Sequence, residues 1–122
     1  MAINKDAARL GTHGEQLAAQ FLIDRGLQIL DRNWRIKEGE LDIVAKTLDG
    51  IIVFVEVKTR TSIAFGDPLE SITPEKAMRI QRLALAWLAT HQRLGWSFRI
   101  DVAGILIGRT GEMTIDYREG IL

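Results

Sequence analysis

Two strand-like runs with acidic residues at matched positions, joined by a tight turn, constrain this chain more than any other feature. Residues 51–58 (Ile-Ile-Val-Phe-Val-Glu-Val-Lys) read as one β-strand, and Gly39-Glu40-Leu41-Asp42-Ile43-Val44-Ala45 as another. Leu48-Asp49-Gly50 lies between them, an Asp-Gly signal flanked by β-branched residues, which predicts a hairpin. With a three-residue loop and Gly50 in the left-handed position, Asp42 faces Glu56 and Glu40 faces Lys58, all on one side of the sheet. A two-residue Asp49-Gly50 turn would slip the register by one and send Asp42 to the face opposite Glu56.

Directly opposed side chains have Cβ atoms about 4.5–5.5 Å apart, and like charges there are destabilising. A cation between Asp42 and Glu56 resolves the repulsion, and oxygen ligands with a lysine beside them suit Mg²⁺. A solvated face carrying cross-strand ion pairs is the other reading of the same geometry. Hydrophobicity tilts against that reading. Val44 and Phe54 are expected on the Asp42 face, and Leu41, Ile43, Val53, Val55 and Val57 on the other. Strands apolar on both sides are buried strands, and charges at one end of a buried pair mark a cleft.

The 122 residues suffice for one domain, 1–122, with a real core. No apolar run approaches a membrane span, and Met-Ala-Ile-Asn-Lys-Asp lacks the apolar stretch of a secretory leader, so a cytoplasmic location without membrane contact is expected. The absence of cysteine excludes disulfides, thiolate zinc sites and a cysteine nucleophile. A net charge of zero argues against a protein that coats nucleic acid non-specifically, though not against a local basic face. A helix is predicted over residues 12–25, with an earlier turn at 6–10 able to extend it, Leu17, Ala18, Phe21 and Leu22 inward, and Gly26 as its stop. Strands follow at 27–36, 40–47 and 51–58, then a loop over 61–72. Thr73-Pro74 opens a second helix, with Ala77, Ile80, Leu83, Ala84, Trp87 and Leu88 inward and an end near Leu94-Gly95. Phe98–Ile107 and residues 113–117 complete an α-β-β-β-α-β-β order, a mixed α/β sandwich.

Glu15 sits beside the apolar stripe of the first helix. It could point into the hairpin cleft, or close a capping box on Thr12. Basic residues gather between Lys58 and Arg99. Of these, Arg60, Lys76, Arg79 and Arg82 are the candidates for phosphate contact, with a solvated helix flank as the alternative for the last three. Asp101 and Arg99 share a face, and a local ion pair is expected. His13 and His91 have no ligand partner at helical spacing, and neither a phosphate loop nor a Ser-His-Asp arrangement is visible. The three tryptophans read as core or core edge, Trp34 keeping a claim on nucleic acid through its arginine neighbours.

Gly14-Glu15, Arg32-Asn33, Gly39-Glu40-Leu41-Asp42, Phe54-Val55-Glu56-Val57-Lys58 with Arg60, and Phe65-Gly66-x-Pro68 together resemble the YraN-type uncharacterised bacterial family. That family is similar to archaeal Holliday-junction resolvases within the PD-(D/E)XK nuclease superfamily. The resemblance spans about residues 14–101. It implies a restriction-endonuclease-like three-layer sandwich, with Asp42 and Glu56 as metal-binding carboxylates joined by the main-chain carbonyl of Val57. It also implies Lys58 as catalytic lysine and Glu15 as the glutamate of the first helix. Leu41 stands where the superfamily has a non-ligating proline. The expectation is a Mg²⁺- or Mn²⁺-dependent endonuclease-like phosphodiesterase acting on DNA, including branched or structured DNA, with a homodimer left open. Its rivals are a non-catalytic nucleic-acid-binding module on the same fold and a partner-binding protein whose charges are only surface.

Overall fold

The computed structural model describes residues 5–61 and 72–121, with side chains from residue 12. The motif Phe65-Gly66-x-Pro68 lies outside the described residues. Helix α1 (Lys5–Asp24) begins earlier than residue 12, so Thr12 lies inside it and the capping-box reading of Glu15 fails. Its apolar stripe stops at Gly26, whose φ of 86° lets Leu27 N–H reach back to Leu22 O at 3.0 Å. Strands β1 (Gln28–Ile36), β2 (Gly39–Lys46) and β3 (Ile52–Arg60) follow, then helix α2 (Pro74–Thr90) and strands β4 (Phe98–Ile107) and β5 (Met113–Arg118). The element order is the one expected from the sequence.

The five strands form one sheet in the order β1-β2-β3-β4-β5, antiparallel except at β3–β4. A parallel pair needs a crossover, and α2 supplies it. On one face Ala18, Ala19 and Leu22 of α1 pack with Ile43, Ala45, Val53, Val55 and Ala103. On the other, Ile80, Leu83, Ala84, Trp87 and Leu88 of α2 pack with Leu41, Val44, Ile52, Phe54 and Ile100. The result is a three-layer sandwich whose central strands are apolar on both sides. Thr73 caps α2, its hydroxyl accepting Lys76 N–H at 3.2 Å, and Pro74 opens the helix. The helix ends at Thr90 rather than near Leu94-Gly95, because left-handed Gln92 (φ 58°) turns the chain and Arg93 N–H closes on Leu88 O at 2.7 Å.

The hairpin has the expected register. Thr47 N–H bonds Ile51 O at 2.9 Å, Gly50 N–H bonds Thr47 O at 3.0 Å, and Gly50 has φ 90°. Lys46 pairs with Ile52 and Ile43 with Val55. There the β2–β3 ladder ends, while β2 stays paired with β1 as far as Gly39 and β3 with β4 as far as Arg60. The sheet therefore splits at Asp42 and Glu56.

One expectation about the faces is corrected. Leu41 packs against α2 and Ile43 against α1, although the two were expected on one face. The β1–β2 register holds on both sides of this point, Arg32 opposite Ile43 and Trp34 opposite Leu41, which places Asn33 opposite Asp42. Asn33 has φ 53°, in the left-handed region that breaks strand alternation. Both strands change face at that pair.

Gly14 is buried where α1 crosses β3, and a Cβ there would press into Thr59 Oγ1. Alanine would gain about 0.5–1 kcal/mol of helix propensity but lose about 1–3 kcal/mol to overpacking. Gly14→Ala should therefore be net destabilising in urea, and Thr59→Ala should restore part of the loss. A Gly14→Ala protein as stable as wild type would show that α1 does not need this close approach.

Candidate active site

The split in the sheet gathers the acidic residues. Val57 N–H, left without a strand partner on the β2 side, donates to Asp42 Oδ2 at 2.8 Å. In a strand the N–H and C=O of one residue point to the same edge, so the Val57 carbonyl faces the same gap. Glu56 and Asp42 are within hydrogen-bonding reach of each other, and Lys58 Nζ lies 3.4 Å from Glu56 Oε1. The Lys58 and Glu56 side chains keep only 25% and 20% of their surface exposed. The structure thus brings together Asp42, Glu56, Lys58 and the Val57 main chain.

Burial, and then the Asp42 carboxylate beside it, push the Glu56 carboxyl up to about 7, against Lys58 pulling it down. Asp42 is also raised, by burial first and by Glu40, while the Val57 N–H and Lys58 oppose the shift. Glu15 reaches the same cluster from α1 and is raised by burial and by Asp42. Two adjacent, mostly buried carboxylates with a main-chain carbonyl on the same gap form an oxygen-only donor set, and that set fits a hard divalent cation. Among the described residues no group of three acidic or histidine side chains encloses an ion, so water or substrate would complete the coordination.

Glu40, Glu56 and Lys58 line a narrow cleft of about 30 Å³ with Lys76, Arg79, Ile80 and Leu83 of α2. Lys76 and Arg79 also line a broader cleft of about 700 Å³ with Arg82, Thr73, Glu38 and Glu75. Three of the four basic candidates thus form one track leading from the acidic site. Arg60, at the end of β3, lines neither cleft.

Asn33 and Arg35 are the residues that sequence reasoning missed. The hydrogen-bonding surroundings set the Asn33 carboxamide with its nitrogen 3.0 Å from both Glu15 Oε2 and Glu40 Oε1. Arg35 holds the other oxygen of Glu40, Nη2 to Oε2 at 2.6 Å and Nε at 3.1 Å. The available signal was an asparagine inside a strand-like run, where its β-propensity is poor but its tolerance of the left-handed region is high. Trp34 packs against the α2-side core, edge-on to His91, and does not stand free as a stacking platform. Asp101 is fully buried and accepts from Arg99 Nε (3.1 and 3.2 Å), Tyr117 Oη (2.5 Å) and Gly120 N–H (2.8 Å), a larger network than the expected local pair.

Fold and site together define a three-layer α/β domain with an acid–acid–lysine cleft at a split in its sheet. The chain belongs to the uncharacterised protein family UPF0102, whose sequence profile matches residues 14–105. UPF0102 proteins of Beutenbergia cavernae and Mycolicibacterium smegmatis are 46% and 45% identical to it, over 96% and 93% of this chain and 97% and 93% of their own lengths. That of Acidothermus cellulolyticus is 48% identical over 91% of each chain. Among solved structures, a repair endonuclease from Pyrococcus abyssi aligns with a TM-score of 0.44 at 18% identity, covering 88% of this chain and 39% of that one. Pyrococcus furiosus SfsA in complex with Ca²⁺ aligns with a TM-score of 0.44 at 16% identity, covering 88% and 63%. No helix among the described residues is long and apolar enough to cross a membrane.

Glu56 makes stability depend on pH. Its folded value of about 7 lies above the ordinary 4.5, so the folded state holds the proton more tightly than the unfolded chain. The associated stability is complete below about 4.5 and is lost as pH rises through about 7. It amounts to on the order of 3 kcal/mol. Without divalent ions, urea unfolding between pH 5 and 8 should show wild-type stability declining relative to Glu56→Gln, with the variant the more stable at pH 8. Parallel profiles would place the Glu56 carboxyl in an ordinary solvated setting.

Proposed function

We propose that this protein is a divalent-metal-dependent phosphodiesterase acting on DNA. The observation that carries the reading is the half-buried Asp42–Glu56 pair at the strand split, with Lys58 beside it and a basic track leading away. Asp42 and Glu56, with the Val57 carbonyl, would hold the cation. When bound, such an ion neutralises the paired carboxylates, polarises a phosphate oxygen and makes a water more acidic. Lys58 then directs its ammonium at the phosphate, where negative charge grows in the transition state, and helps to orient the attacking water. Lys76, Arg79 and Arg82 hold phosphates along the flank of α2 without reading sequence. DNA as substrate, with branched or structured forms among the candidates, follows from the motif resemblance. A restriction-endonuclease-like nuclease is what the same resemblance implies.

A non-catalytic nucleic-acid-binding module is the second reading. The zero net charge favours it, since substrate binding usually draws on a stronger basic surface. Metal titration separates the two. Under the catalytic reading, millimolar Mn²⁺ or Mg²⁺ raises the melting temperature of wild type, whereas Asp42→Asn is more stable than wild type without metal and insensitive to it. A wild-type melting temperature unmoved by either ion would count against the cation site.

Cleavage should be assayed on labelled single-stranded, duplex, flap and four-way-junction DNA. Lys58→Ala should keep its metal binding and lose on the order of 10²–10³ in rate, the scale of removing one preorganised charge-stabilising group. Glu56→Ala should lose both metal and cleavage. Full activity in Lys58→Ala, on a substrate that Glu56→Ala cannot cut, would take the lysine out of the mechanism.

Replacing Lys76, Arg79 and Arg82 by alanine should weaken binding to all sequences alike. It should also make the dependence of log affinity on log salt shallower by roughly one unit per lost contact. An unchanged slope would return these side chains to the solvated surface.

A further inference from the structure

We infer that Asn33 is a positioning residue of this site, its carboxamide tying Glu15 of α1 to Glu40 of β2 so that Glu15 is held beside Asp42. The inference rests on the phosphodiesterase reading above. Both hydrogens of the amide are used, one for each carboxylate, at 3.0 Å. Glu40 is engaged on its other oxygen as well, by Arg35 through two nitrogens at 2.6 and 3.1 Å. The order of contacts is therefore Arg35 to Glu40 to Asn33 to Glu15, and the Asp42 carboxylate acts on Glu15, helping to raise its carboxyl.

The backbone supports the same role. Asn33 lies opposite Asp42 in the β1–β2 register and occupies the left-handed region, φ 53°. Asparagine tolerates that region better than most side-chain-bearing residues, and such strain collects where structure serves a site. Glycine would fit the backbone more easily but would leave Glu15 and Glu40 untied. Lysine or arginine would bridge them while cancelling the negative charge a cation needs. Aspartate would add a further like charge. A neutral double donor holds two carboxylates without neutralising them.

The layers make this link consequential. Glu15 belongs to the helix on one face of the sheet, whereas Glu40 lines the cleft shared with α2 on the other. The Asn33 amide, on β1 opposite Asp42, thereby links a residue of the α1 layer to one that lines the α2-side cleft.

The test is Asn33→Gly, which keeps the left-handed backbone and removes only the carboxamide. Its urea midpoint should stay close to wild type, while Mn²⁺ affinity or Mn²⁺-supported cleavage falls by roughly 10–100-fold, as for other groups that orient metal-site side chains. Since Asn33 acts through Glu15, Asn33→Gly combined with Glu15→Gln should be no worse than Glu15→Gln alone. Additive losses, or an Asn33→Gly protein with wild-type affinity and rate, would overturn the positioning role.

A second readout needs no activity. The Asn33 side-chain amide signals in a ¹⁵N-labelled protein should be displaced from those of a free asparagine and slow to exchange, and Glu15→Gln should shift them. Free-asparagine signals unmoved by Glu15→Gln overturn the clamp even if wild type cleaves DNA. If wild type neither binds Mn²⁺ nor cuts any of the DNA forms, the phosphodiesterase reading falls and takes the positioning role with it. The amide signals then report on the clamp alone.

Discussion

The hydrogen bond from Val57 N–H to Asp42 Oδ2 is the interaction around which the site is organised. A main-chain N–H inside a sheet must find a partner, and up to Ile43–Val55 the β2–β3 ladder provides one. One step further the Asp42 carboxylate takes the place of the ladder. The strands can then part without orphaning a donor, β2 continuing with β1 and β3 with β4. The gap that opens is edged by Asp42, Glu56 and the Val57 main chain, so the device that ends the pairing also supplies the oxygens. An alanine at position 42 would lose more than a carboxylate, because the Val57 donor would lose its acceptor.

Two acidic centres in the same chain differ in how their charge is compensated. Asp101 has both oxygens engaged by Arg99, with Tyr117 and Gly120 donating as well, so its charge is compensated inside the fold. Burial and the Asp101 carboxylate push the Tyr117 hydroxyl up, which keeps it a donor. Around Asp42 and Glu56 the balance is different. Glu15 and Glu40 add to the negative field, Lys58 is the close cation, and Arg35 sits on the rim with 76% of its side chain exposed, where an ion pair contributes little. Glu56 answers by holding a proton up to about pH 7. A carboxyl that holds its proton this tightly is one whose negative charge the fold leaves partly uncompensated.

The hairpin was legible in the sequence because its information is local. Leu48-Asp49-Gly50 specifies the loop, the loop specifies the register, and the register brings Asp42 to Glu56. Thr73-Pro74 marked the start of α2 for the same reason. The change of face between Leu41 and Ile43 was not legible, since strict alternation is the default and its reversal depends on one left-handed residue on a neighbouring strand. Glu15 was legible only as one of two readings, because a Thr-x-x-Glu pattern also reads as a cap until the helix is seen to begin seven residues earlier, at Lys5. The Asp101 network joins β4 to β5 and the residues after it, which no spacing along the chain announces.

The topology explains why basic side chains meet the acidic cleft. Only β3 and β4 are parallel, so the chain must leave the far end of β3 and return through α2. A crossover helix runs back against its strands, and its first turns therefore lie over the end of β3 that carries Glu56 and Lys58. Lys76 and Arg79, in those first turns, close the cleft from above. The partial positive charge of a helix N-terminus adds to theirs. Parallel sheets place ligands outside the carboxyl ends of their strands for this reason, and here the rule coincides with the point where β2 turns away from β3. An acidic floor from the hairpin and a basic wall from the crossover thus come from two separate requirements of one sheet: an antiparallel pair that must end, and a parallel pair that must be bridged.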